Sequence, residues 1–97
     1  MYISILRGHV AEENWGLLKK SYAQAIRSTP EGLVQTFLIQ GREEPHTWQI
    51  ISVWTSEEIY DKAHANKLTE TCTQMFCEAG SVPERLTFHV EGKYQRI

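Results

Sequence analysis

Three residues of the segment WTSEEIYDKAH, Trp54, Tyr60 and His64, combine reactive types with a spacing that can bring them together. Trp54 stands at the last position of an apolar, β-branched run and shares one strand face with Trp48, Ile50 and Ser52. Tyr60 follows six residues later and His64 four after that, so on a helix the phenol and the imidazole lie side by side. A Trp wall with a phenol and an imidazole at its edge suits a flat, hydroxylated ligand. An imidazole, titrating near pH ~6.5, can take a proton from an acidic phenol. Tyr60 and His64 are accordingly the candidate catalytic groups. Trp54, Trp48, Ile50 and, from a later helix, Phe76 are the candidate substrate-binding residues. The competing reading of each is core packing, because aromatic residues on the apolar face of a helix or strand ordinarily fill the interior.

Other reactive types carry less. His9, His46 and His89 fall on separate strands or loops with no ligand-spaced pair, so no metal site is expected. Cys72 and Cys77 share a predicted helix but point to different faces, which favours two reduced thiols that pack rather than attack. Gly32 and Gly41 punctuate turns and form no phosphate-binding loop. No flavin, nicotinamide or P-loop signature occurs, so if the protein is an enzyme the expectation is one without a built-in organic cofactor.

The elements that must position these residues read as follows. Tyr2 to His9 is rich in β-formers and predicts a first strand. Over Ala11 to Ser28, Trp15, Leu18, Tyr22, Ala25 and Ile26 recur at steps of three and four, predicting an amphipathic helix that stops at Thr29-Pro30-Glu31-Gly32. Leu33 to Gln40 and Thr47 to Trp54 are strands joined across GREEPH. Thr55 and Glu58 form a capping box that opens a second helix. That helix falters near Asn66 and resumes from Leu68 with Cys72, Met75, Phe76 and Ala79 in step, to a C-cap at Gly80. Leu86 to Tyr94 alternates Leu86, Phe88 and Val90 against Thr87, His89 and Glu91 as a last strand. The order β-α-β-β-α-β over residues 1–97, as a single domain, predicts an α+β, ferredoxin-like fold with a four-stranded antiparallel sheet.

Two helices cover one face of such a sheet, and the other should be polar. It is not. In the third strand Ile51 and Val53 oppose Trp48, Ile50 and Trp54; in the second, Leu33, Phe37 and Ile39 oppose Val34 and Leu38; in the first, Ile3 and Ile5 oppose Tyr2 and Leu6. Covering even a few hundred Å2 of apolar surface contributes several kcal/mol at about 25 cal/mol per Å2. The pattern predicts a homodimer paired through its sheet faces, unless bulges reset the parity of a strand. A net charge of −2, with no run of Lys or Arg beyond Lys19-Lys20, gives no electrostatic case for nucleic acid. With no apolar run of membrane-spanning length and no leader-like start, a cytoplasmic location without membrane contact is expected.

The chain resembles the antibiotic biosynthesis monooxygenase family of dimeric α/β-barrel proteins, through its element order and through ISVWTSEEIY, a strand ending in Trp followed by an acidic helix start and an aromatic. The resemblance implies oxidation of a quinol or other electron-rich aromatic by dioxygen without metal or prosthetic group. It also implies that Trp54 and Tyr60 lie in the substrate cavity. The chain departs from the family where a His nine residues after the Trp is here Ala63, with His64 one step on, a rotation of about 100°. Ile50 replaces the strand Asn of the polyketide oxidases. Ala63 and Thr73 stand where the haem-degrading branch has its Trp and His. Three readings follow in order: a cofactor-independent oxygenase, a non-catalytic or stress-responsive module binding a small aromatic ligand, and a haem-binding or haem-degrading protein using His64, His46 or His89.

Overall fold

The structure is a computed structural model and describes residues 1–96. Four strands, β1 (Tyr2–His9), β2 (Leu33–Gln40), β3 (Thr47–Trp54) and β4 (Glu84–His89), form one antiparallel sheet in the order β2-β3-β1-β4. Three helices, α1 (Trp15–Ala25), α2 (Glu57–Ala65) and α3 (Glu70–Glu78), occupy the connections on one side, with a single 3-10 turn, Glu12–Asn14, leading into α1. This is the ferredoxin-like split βαβ arrangement, as the element order predicts.

Register explains where the strands stop. β4 pairs only with β1, from Glu84 opposite Arg7 to His89 opposite Tyr2. Pro83 has no N–H to give, so pairing begins after it. Beyond His89 the partner strand is exhausted, and a last bond runs from Val90 N–H to the Met1 carbonyl at 3.3 Å. The last strand is therefore Glu84–His89 rather than Leu86 to Tyr94. The first helix is likewise shorter than Ala11 to Ser28, and Ile26 at its C-cap is exposed.

The helix signals resolve in detail. Ser56, not Thr55, caps α2, its Oγ accepting from Ile59 N–H at 3.2 Å. Thr55 is still held in the strand connection, donating its N–H to the Gly32 carbonyl at 3.0 Å. At the break, Lys67 adopts φ +62° while Leu68 N–H reaches the Ala63 carbonyl and Lys67 N–H the His64 carbonyl. That is a Schellman ending with Lys where glycine is preferred. α3 ends in the same way on Gly80, φ +80°, with Ser81 N–H on Phe76 O and Gly80 N–H on Cys77 O.

The two sheet faces differ as the alternation requires. Tyr2, Ser4, Leu6, Trp48, Ile50, Ser52 and Trp54 are buried toward the helices. Ile3, Ile5, Ile51 and Val53 turn to the other face and stay half-buried. In β2 the register slips between Leu33 and Gln35, a bulge that moves Leu33 to the helix side opposite Trp54 and leaves Val34 exposed. Phe37 and Ile39 remain outward and exposed. The apolar set of β4, Leu86 and Phe88, also faces away from the helices, opposite Ile5 and Ile3. Its inward positions are Arg85, Thr87 and His89.

The interior divides into two clusters. One holds Leu6, Val10, Leu18, Trp48, Ile50, Met75, Phe76 and Ala79. The other holds Tyr2, Trp54, Tyr60 and Ala63, with Leu33 against it. Between them the sheet and helices do not meet.

Candidate active site

The gap between the two clusters is a cavity of about 270 Å3. Its floor is the inner sheet face at Ser4, Ile50, Ser52 and Trp54, and its walls come from Tyr22 and Ala25 of α1 and Cys72 and Met75 of α3. Exposed Ile26, Thr29, Lys67 and Leu68 surround the way out to solvent. Small-molecule sites span about 300–1,000 Å3, so this one suits one or two rings rather than a large polycycle.

Each part has a local cause. Trp54 is buried at the strand end, and its indole Nε1–H donates to Ser4 Oγ on the neighbouring strand at 3.1 Å. That bond satisfies the one polar atom of the indole and fixes the ring as a wall. Tyr22 keeps its hydroxyl in the wall by donating to Thr36 Oγ1 at 3.3 Å. Cys72 sits half-buried on α3, while Cys77 is exposed on another face, both free thiols. Burial pushes the Cys72 thiol above its ordinary range, and the Arg85 guanidinium draws it part of the way back.

Tyr60 lies behind Trp54, edge-on with ring centroids 5.5 Å apart, and contacts Tyr2 at 5.2 Å. His64 stacks on its other side, 5.6 Å away with planes 10° apart. The helical spacing thus brings Tyr60 and His64 together beside Trp54. Neither lines the cavity; they connect to its wall through two other residues. Arg85 Nη1–H donates to the Tyr60 hydroxyl at 3.3 Å, and Nη2–H groups donate to Thr73 Oγ1 at 2.9 Å and the Thr69 carbonyl at 3.4 Å. Thr69 Oγ1 in turn is 2.7 Å from His64 Nδ1. Both Arg85 and Thr69 line the cavity.

Of the sequence-derived substrate-binding residues, Trp54 and Ile50 line the cavity, whereas Trp48 and Phe76 do not. Trp48 packs beside Trp15 at 6.0 Å, and its Nε1–H is buried with no partner among the described residues. Phe76 is sealed in the core against β1, where a Cβ on Gly8 would stand 2.6 Å from its ring. His46 stacks on His9 at 5.2 Å, and exposed His89 meets Glu57 at 2.9 Å. No histidine and no carboxylate lines the cavity among the described residues. Arg85, Tyr22 and Cys72 are wall residues that were not singled out from the sequence as site residues. A signal for Arg85 existed in register alone, since it sits across from buried Leu6.

Searches of family models and of curated proteins find no match to the sequence. The fold does match solved structures over nearly the whole chain. A proposed antibiotic biosynthesis monooxygenase from Deinococcus radiodurans superposes with a TM-score of 0.73 at 15% identity, covering 100% of this chain and 99% of that one. SnoaB, a cofactor-independent oxygenase from Streptomyces nogalater, gives 0.68 at 18% identity, covering 98% of this chain and 97% of that one. A conserved protein from Methanosarcina mazei gives 0.70 at 14% identity over 90% and 89%. The chain has the fold of the antibiotic biosynthesis monooxygenase structures, the fold its sequence resemblance implies.

Proposed function

We propose that the protein binds a small electron-rich aromatic, such as a quinol, against Trp54 and oxidises it with dioxygen, working as a homodimer paired through the outer sheet faces. The observation that carries the reading is the cavity itself, a largely apolar space with an indole wall, a scatter of Ser, Thr and Tyr hydroxyls, and Arg85 at its edge. SnoaB, with the same fold, is an oxygenase that needs no cofactor, and a site built this way leaves the electrons to the substrate. Loss of one proton from a phenol gives an anion that donates electrons to dioxygen. A carbon–oxygen bond forms, and the hydroperoxide loses water to leave a quinone carbonyl. In this reading Trp54 and Ile50 hold the ring. Tyr60 steadies Arg85, and His64 exchanges the substrate's proton with solvent through the Thr69 hydroxyl.

The test is oxygen consumption by metal-chelated, cofactor-free protein against a panel of quinols and hydroxylated aromatics. Uptake that saturates with one substrate and falls in Tyr60→Phe is the expected result. A second reading, a binding module without turnover, is favoured by a lining that, among the described residues, holds neither imidazole nor carboxylate. It predicts saturable ligand quenching of tryptophan fluorescence with no uptake. Neither binding nor uptake across the panel contradicts both.

A further inference from the structure

Arg85 is a cation at the wall of a largely apolar cavity. Among the described residues no carboxylate pairs with it; the ion pair they form is between His89 and Glu57 on the surface. Its three hydrogen bonds, to Tyr60 Oη, Thr69 O and Thr73 Oγ1, go to neutral oxygens. They aim the guanidinium without cancelling its charge, and they leave part of its fork of N–H donors without a protein partner. A half-buried guanidinium that no carboxylate neutralises can give its free N–H donors and its charge to an anion entering the cavity. The remaining lining is hydroxyls, thiol and hydrocarbon, and the other cation, Lys67, stands exposed at the opening. Both positive charges therefore favour a ligand that brings its own negative charge.

We infer that the cavity takes an aromatic acid, a one- or two-ring compound whose ionised carboxylate rests on Arg85 while its ring lies on Trp54. This rests on the aromatic-ligand reading above and narrows it to a class. Cys72 lines the same cavity, and the guanidinium draws its thiol down against the larger effect of burial. Carboxylate suits the inner end of the site better than phosphate, because Lys67 stands out at the opening and Arg85 alone, with three hydrogen bonds already made, matches a single charge.

The probes are 4-hydroxybenzoate and 4-hydroxybenzamide, one ring with and without the charge, titrated calorimetrically into the full chain. The acid is expected to bind more than about ten-fold tighter than the amide, and the preference to shrink as salt is raised. In Arg85→Met the preference falls to about two-fold or less while amide affinity holds. Arg85→Lys, which keeps the charge, retains most of it, and Arg85→Gln, which removes the charge but keeps polar N–H groups, should lose it and serves as the reading if Arg85→Met fails to fold. Equal binding of acid and amide, or a preference that survives Arg85→Met, overturns the inference while leaving the aromatic reading intact. Binding of neither probe, together with no oxygen uptake on the quinol panel, overturns both.

Discussion

Cys72 and Cys77 are the same chemical group in two environments, and reactivity should separate them. Alkylation needs the thiolate, and burial holds the Cys72 thiol above its ordinary range despite the pull of Arg85. Brief iodoacetamide treatment at pH 8, read by peptide mass spectrometry, should label Cys77 several-fold faster than Cys72. Ligand in the cavity should slow Cys72 further and leave Cys77 unchanged. Residue spacing made the Trp54, Tyr60 and His64 neighbourhood legible, because strand end and helix pitch fix those distances locally. It did not reveal Arg85. The alternation in β4 separates two faces, but nothing local says which one the helices cover, and that is decided by pairing with Leu6 in β1. For the same reason Trp48 and Phe76 read as pocket residues, although packing with Leu6, Val10 and Leu18, and against Gly8, draws them into the core.

At the scale of elements, the helix ends carry the testable energetics. Ser56→Ala removes the only side-chain bond that caps α2 among the described residues and should cost about 1 kcal/mol. In a domain of this size that lowers Tm by about 4–8 °C. Lys67→Gly should act in the opposite sense. Lys67 holds φ +62° at the end of α2, a conformation costing roughly 1–2 kcal/mol for an L-residue. Glycine there should raise stability by about 0.5 kcal/mol after its larger unfolded-state entropy is counted. Thermal unfolding by circular dichroism checks both. The four strands and the break near Asn66 were readable from composition and periodicity, with β1, β2 and β3 at their observed limits. The end of β4 was not, because it depends on where β1 runs out. The bulge at Val34 reverses the parity of Leu33 by tertiary pairing, which no local pattern records.

For the whole molecule, the outer sheet face is the dominant fact. Phe37, Ile39 and Phe88 are exposed on it, and Ile3, Ile5, Ile51, Val53 and Leu86 are only half-buried. Such a face drives association. Light scattering after size exclusion should give twice the chain mass for the wild type. Phe37→Lys, which sets a charge opposite Ile51, should shift it to the monomer with the fold intact. A wild-type protein that stays monomeric at high concentration would rule out the sheet-face pairing.

The claim that joins these scales is that oxidation takes place in the cavity between the two core clusters. Oxygen uptake measured side by side for wild type and Cys72→Phe tests it most directly, because a phenyl ring from α3 fills that space and leaves the outer sheet face untouched. Circular dichroism and light scattering establish that both proteins are folded in the same assembly. Saturable uptake in the wild type that is lost in Cys72→Phe is the expected result. Equal uptake in the two would place the chemistry elsewhere, and no uptake in the wild type with any aromatic would contradict the oxygenase reading.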